Sequence, residues 1–315
     1  MQIDKDTQAL INERLKNNAP ALESFTPLEL RALRAKMAET PKELRVEISD
    51  VQNLSVQGTL GQIPIRKYSD NTTKDKIAPV IIYFHGGGFV MGDLDSHDLV
   101  CRHLCKKTKA TIIAVDYKLA PEHKFPAPIT DTKDAIIQII KNAKAYNIDS
   151  NKVILCGDSA GGTLATVGTI MSRDKIIPKV HGQILVYPWV DMTMCRRSID
   201  IELEGMILDK KTIKYFAEHY LNNKEEQVDW RASPILAPDL SNLPPTYIYG
   251  AGLDPLVDEG DAYKRRLLSF ENEVHYRLFP GQMHAFLSNS VQLPTALECI
   301  EEMSEAAKSI FLACK

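Results

Sequence analysis

Ile154-Leu155-Cys156-Gly157-Asp158-Ser159-Ala160-Gly161-Gly162-Thr163-Leu164-Ala165 is the stretch from which the fold can be read. Three apolar residues close a strand, a serine between glycines follows with no spacer, and an apolar helical pattern starts at once. A G-x-S-x-G segment in this strand–turn–helix setting is a nucleophile elbow. The turn is so tight that the serine must take a strained backbone conformation, and the residues two before and two after it must lack side chains for strand and helix to approach. Ser159 Oγ is then held above the end of a sheet, at the amino end of a helix whose dipole favours developing negative charge.

Outward from the elbow, short apolar runs recur at 80–84, 110–115, 184–187, 246–249 and 274–279, together with 153–156 in the elbow itself. Between them lie helical patterns at 131–145, 160–172, 259–269 and 293–314, with apolar residues recurring at three and four, as in Ile136, Ile139 and Ile140. Strands alternating with helices predict an α/β protein with a mostly parallel sheet covered on both faces. Before this core the period is helical around Leu10, Ile11 and Leu15 and again around Leu28, Leu30, Leu33 and Met37, with Thr26 as N-cap and Pro27 at the helix start. From Leu44 it changes to two, so Val46-Glu47-Ile48 and Ile63-Pro64-Ile65 read as early strands joined by a turn between Gln57 and Gly61. Residues 191–231 interrupt the alternation with a charge-rich excursion holding one clear helix, 210–221, and no strand. An insertion over one end of the sheet accounts for it.

The run 80–84 ends in His85-Gly86-Gly87-Gly88-Phe89. Three consecutive glycines cost backbone entropy on folding, so their presence needs a reason. Amide N–H groups from such a loop can hold the carbonyl oxygen of a substrate: Gly87 and Gly88 are the leading donors, Ala160 N–H the third, and Gly86 supports the turn. His85 reads as a hydrogen-bonder that fixes the loop. A serine hydroxyl is a weak nucleophile and needs a base, which itself needs an orienting carboxylate. Of eight histidines only His284 follows the last strand, while His275 lies inside it as a surface residue. For the acid, Asp254 stands on the loop after 246–249, kept out of a helix by Pro255, whereas Asp258 and Glu259 fit a helix first turn, where the dipole stabilises acids regardless of catalysis.

Composition bounds the rest. The chain has 315 residues, 44% hydrophobic and 25% charged, which excludes disorder and small disulfide scaffolds. Thirty-eight Lys and Arg against 41 Asp and Glu leave a net charge of -3, with no like-charge block to grip a phosphate backbone, so nucleic acid is not an expected partner. The polar, acidic start predicts no signal peptide, and no apolar run approaches the ~20 residues of a bilayer span, so no membrane partner is expected and the cytoplasm is the expected location. Six scattered cysteines without paired metal spacing read as buried free thiols, and no metal site is expected.

The chain resembles the hormone-sensitive lipase family of α/β-hydrolase carboxylesterases, the branch with a G-D-S-A-G elbow. The likeness runs from Tyr83 to Phe286 through His85-Gly86-Gly87-Gly88-Phe89, Asp116-Tyr117-Lys118-Leu119-Ala120-Pro121-Glu122, the elbow, Tyr187-Pro188, Arg231-Ala232-Ser233-Pro234, Asp254-Pro255-Leu256 and His284. It implies an α/β-hydrolase fold with an eight-stranded, mostly parallel sheet, helices on both faces, and a helical cap from about 1–40 and 190–232, all one domain over 1–315. By the resemblance, Ser159, Asp254 and His284 are nucleophile, acid and base of a serine carboxylesterase acting on small ester substrates without a cofactor. Gly86, Gly87, Gly88 and Ala160 form the oxyanion hole, and the stretch 116–121 supports the loops. A cap implies a confined apolar pocket, with Phe89, Leu208 and Phe216 expected to line it along with Tyr220, and hence short- to medium-chain acyl esters. Relatives often pair through the last strand and helix, which implies a homodimer. Many carry Gly-x-x-His-Gly-Phe around the base, whereas here Ala285 follows His284.

Overall fold

The computed structural model describes residues 2–38, 45–70 and 76–314. Eight strands form one sheet: β1 (Asp50–Gly58), β2 (Gly61–Ser69), β3 (Ala78–Phe84), β4 (Thr111–Val115), β5 (Ile148–Asp158), β6 (Gly182–Val186), β7 (Thr246–Leu253) and β8 (Val274–Met283), in the order β1-β2-β4-β3-β5-β6-β7-β8. The β1–β2 and β2–β4 pairs are antiparallel, and every pairing from β4 through β8 is parallel. A two-residue turn at 59–60 joins β1 to β2, which only an antiparallel pair allows, whereas the parallel strands are joined by helical crossovers.

The expected strand at Val46-Glu47-Ile48 is not formed. β2 ends at Ser69, opposite Asp50, so the three earlier residues have no ladder to join. Instead the Val46 carbonyl accepts a bond from Arg102 Nη1, and Ile48 packs against the core. Leu44 and the side chain of Met37, which entered the helical and strand patterns above, lie outside the described residues.

Because successive strand side chains point to opposite faces, β3 divides its residues between two cores. Val80, Ile82 and Phe84 join one with α4 (Ala127–Lys141), α6 (Ala160–Arg173) and α8 (Val257–Ser269), while Ile81 and Tyr83 join another with α3 (Asp98–Thr108) and α9 (Pro294–Ala313). A short helix, α5 (Ala143–Tyr146), follows α4. Every strand residue of β3 except Pro79 is buried, which is why this run reads as continuous rather than alternating.

Three helices lie over the carboxyl ends of the strands. α1 (Lys5–Lys16) is tied to the end of β8 by Asp4 N–H on the Gly281 carbonyl at 3.2 Å and by Thr7 Oγ1 donating to Gln282 Oε1 at 2.9 Å. α2 (Pro27–Ala38) begins with a capping box: Glu29 Oε2 accepts the Thr26 N–H at 2.8 Å, and Thr26 Oγ1 accepts the Glu29 N–H at 3.4 Å. α7 (Lys210–Tyr220) is held to the amino-terminal segment by Thr212 Oγ1 donating to Glu23 and Tyr215 Oη donating to the Phe25 carbonyl. The excursion at 191–231 contains α7, two short 3-10 turns and no strand.

Cys101, Cys105, Cys156 and Cys299 are buried free thiols as expected, but Cys195 is exposed and Cys314 half-buried. Among the described residues no helix is long and apolar enough to cross a membrane, and none of the His, Cys, Asp and Glu side chains gather into a metal-binding group.

Candidate active site

β5 ends at Asp158 and α6 starts at Ala160, leaving Ser159 alone in the turn at φ 53°, ψ -121°. Its N–H donates to the Val186 carbonyl at 2.9 Å, and its own carbonyl accepts from Trp189 N–H at 3.1 Å, so neighbouring chain holds the strained residue. A side chain at Gly157 would meet the Gly161 carbonyl, and one at Gly161 would meet the Phe84 carbonyl. Strand and helix are in backbone contact at the elbow.

β7 runs four residues beyond its predicted end, to Leu253, and β8 runs to Met283. Asp254 and His284 are each the next residue, so two neighbouring parallel strands deliver acid and base to the same end of the sheet as Ser159. His284 Nε2 lies 2.9 Å from Ser159 Oγ, and His284 Nδ1 lies 2.7 Å from Asp254 Oδ2. The other Asp254 oxygen accepts the Leu256 N–H at 2.8 Å. All three side chains are buried, Asp254 completely. With the imidazole proton on Nδ1, facing the carboxylate, Nε2 is the acceptor for the serine proton.

Ala285 sits at φ 63°, ψ 17°, left-handed backbone that costs an alanine about 1–2 kcal/mol. A glycine there has no such cost, though it loses more entropy on folding. Ala285→Gly is therefore expected to stabilise the fold by a net gain on the order of 0.5–1 kcal/mol, read as a higher urea midpoint at an unchanged slope. A lower midpoint contradicts it.

In the glycine loop the backbone turns left-handed at Gly88, φ 62°, where a Cβ would run into the Phe216 ring of α7. Gly87 and Gly88, like Ala160 at the first position of α6, make no hydrogen bond through their N–H groups to any described residue. Gly86 differs from the expectation: its N–H is committed to Asp158 Oδ1 at 3.0 Å, which removes it as a donor to substrate. Tyr117 Oη donates to the His85 carbonyl at 2.7 Å and its ring stacks on the His85 imidazole, so the segment 116–121 does brace the loop. Burial, and then the nearby His97, push the His85 imidazole down to about 4.

Phe89 also departs from expectation. It is fully buried and stacked on Tyr220 with centroids 3.9 Å apart, filling the space between sheet and α7 behind the pocket. Tyr220, the last residue of α7, likewise stays off the pocket wall, fully buried between Phe89 and Phe125. Leu208 and Phe216 do line the cavity. It holds about 330 Å³ above Ser159 and His284, with Leu22, Phe25, Leu30, Trp189 and Ile213 also on its walls.

Asp158, the variable position of the elbow, had no assigned role. It accepts from Tyr83 Oη at 2.7 Å, from Gly86 N–H, and faces His97 Nε2 at 3.2 Å. Burial alone disfavours its charge, but His97 and the Tyr83 hydroxyl outweigh it and hold the carboxyl at about 2. The elbow and the glycine loop are thus joined through one carboxylate. Glu259, read above as a first-turn helix acid, is buried and accepts the N–H groups of Val190 and Asp191. Burial, with Asp191 close by, raises its carboxyl well above the usual range. Asp258 behaves as expected, accepting the Ser198 N–H at 2.9 Å.

A strained serine at a strand–helix elbow, bonded to a histidine and a buried carboxylate at the carboxyl edge of a parallel sheet, defines a serine hydrolase of the α/β-hydrolase class. Residues 81–288 match the family described as alpha/beta hydrolase fold. The carboxylic ester hydrolase LipN of Mycobacterium tuberculosis is 37% identical over 76% of this chain, which spans 65% of LipN's own length; the esterase LipI of the same organism is 34% identical over 85% of both chains. A solved α/β hydrolase from the metagenome of Lake Arreo, Spain, superposes with a TM-score of 0.93 at 33% identity over 99% of both chains. The chain belongs to the hormone-sensitive lipase family of α/β-hydrolases, and it is a carboxylic ester hydrolase.

Proposed function

We propose that this carboxylesterase acts on short- to medium-chain acyl esters in the cavity beneath a cap made from about 1–40 and 190–232. The bonded Ser159–His284–Asp254 set on the floor of a confined, mainly apolar cavity carries the proposal. Ser159 Oγ adds to the ester carbonyl carbon as its proton passes to His284 Nε2, and the resulting oxyanion accepts from the N–H groups of Gly87, Gly88 and Ala160. Collapse breaks the bond to the alcohol oxygen, which leaves with the proton from His284. Water then attacks the acyl-serine, giving a proton to His284, and the second collapse returns that proton to Ser159 as the acid departs. Asp254 holds the Nδ1 side of the ring and steadies the imidazolium.

Each methylene buried is worth about 0.8 kcal/mol, close to a fourfold gain, until the cavity is full. Across p-nitrophenyl esters from acetate to dodecanoate, kcat/KM is expected to climb to a maximum between butyrate and octanoate and to fall at least about tenfold by dodecanoate. A maximum at dodecanoate overturns the chain-length assignment, and no turnover of any ester overturns the function.

A further inference from the structure

Arg31 and Arg34 stand one helical turn apart on the face of α2 that meets the glycine loop. Arg31 is fully engaged: Nε donates to the Val90 carbonyl at 2.8 Å, Nη2 to the Ala120 carbonyl at 2.7 Å, and both terminal nitrogens to Glu122. Arg34 is not. Its hydrogen bonding to the described residues is a single long contact from Nη2 to the Ser96 carbonyl, 3.4 Å, and no described carboxylate lies within 4 Å. Yet its side chain lines the catalytic cavity, together with Ser159, His284, Gly87 and Gly88.

A guanidinium keeps its charge even here, although burial, partly offset by the field of Asp158, draws it below the usual arginine range. A second cation, Arg14 of α1, lines the same cavity, steadied by the Gly205 and Met206 carbonyls. Among the described residues Asp158 is the single acidic side chain on the wall, and its oxygens are occupied by Tyr83, Gly86 and His97. The described lining therefore carries an excess of positive charge among apolar walls, with donors of one arginine open toward the cavity. Nothing in the hydrolysis of a neutral ester uses such a group, and the half-buried guanidinium keeps donors free to meet a ligand in the cavity.

We infer that Arg34 binds a carboxylate carried by the substrate, so that the preferred esters are anionic: half-esters of dicarboxylic acids, or acylated hydroxy acids. The inference rests on the ester-hydrolase assignment and adds the substrate class. A planar carboxylate matches the guanidinium fork, and a second charge of like sign on Arg14 strengthens the attraction for it. The two sources differ in which side of the scissile bond bears the charge, and each has its own assay.

Ethyl hydrogen adipate against ethyl heptanoate tests a carboxylate on the acyl side, and 4-acetoxybutanoate against pentyl acetate tests the alcohol side, followed by pH-stat at pH 7.5 and constant ionic strength. For at least one pair, Arg34→Met is expected to lower the anionic-to-neutral ratio of kcat/KM by about ten- to a hundredfold, the worth of a charge-assisted hydrogen bond. Arg34→Lys, which keeps the charge but not the fork, is expected to fall between. The ratio is independent of the fraction of enzyme folded. Should Arg34→Met fail to fold, wild-type enzyme still decides: adipate is expected to inhibit butyrate-ester hydrolysis more strongly than adipamide. A ratio unchanged within threefold for both pairs, or inhibition by adipamide equal to that by adipate, overturns the inference while leaving the esterase intact. Absence of turnover for the neutral esters as well removes the esterase itself.

Discussion

Replacing Ser159 by alanine is expected to lower kcat for p-nitrophenyl butyrate by about a million-fold, the scale on which a serine triad loses its nucleophile. The residual rate should be the binding and oxyanion contribution alone, because water must then attack without an acyl-enzyme. The substitution removes one hydroxyl from a residue whose N–H and carbonyl are held by Val186 and Trp189, so the strained turn is kept and the thermal midpoint should stay close to wild type. Wild-type enzyme should also take up one fluorophosphonate per chain and the variant none. Alanine enzyme retaining more than a tenth of the activity would show that another group is the nucleophile.

Asp254→Asn is expected to cost about ten-thousandfold in kcat, less than the loss of the nucleophile but larger than any change of packing. Asp254 Oδ2 faces His284 Nδ1 at 2.7 Å while Oδ1 is occupied by Leu256 N–H. An asparagine would keep its oxygen on Leu256 and turn its NH2 toward the ring, forcing the imidazole proton to Nε2. That nitrogen would then face the serine as a donor and could not take its proton. KM should change little, since the side chain is fully buried and touches no substrate. Activity within tenfold of wild type would show that the carboxylate does not set the tautomer.

The triad was legible because its signals are local: a glycine-spaced serine between strand and helix, a histidine just past the last strand, an aspartate before Pro255. The sheet was legible for the same reason, since its central strands are buried on both faces and read as short apolar runs. The edge was harder. Val46-Glu47-Ile48 has strand-like alternation, but whether a strand forms depends on the reach of its neighbour, which ends at Ser69. Residues whose role depends on distant partners carried no pattern at all. Asp158 looks like a variable position until Tyr83, Gly86 and His97 converge on it. Arg34 looks like a solvated charge on an amphipathic helix until that helix is laid over the glycine loop. Phe89 was misplaced because the sequence puts it beside the three glycines but does not say which way the loop turns its ring. The helices over the site were identifiable as an interruption of the strand–helix rhythm, yet the arrangement of α1, α2 and α7 rests on side-chain contacts from far-separated segments.

The fit of the Phe216 ring into the space where Gly88 lacks a side chain makes α7 and the glycine loop one mechanical part. A helix with a different residue at 216 is expected either to leave a hole beside the glycine loop or to press that loop out of register. Transplanting a relative's 190–232 segment to alter specificity should therefore change turnover as well as selectivity unless the aromatic at 216 travels with it.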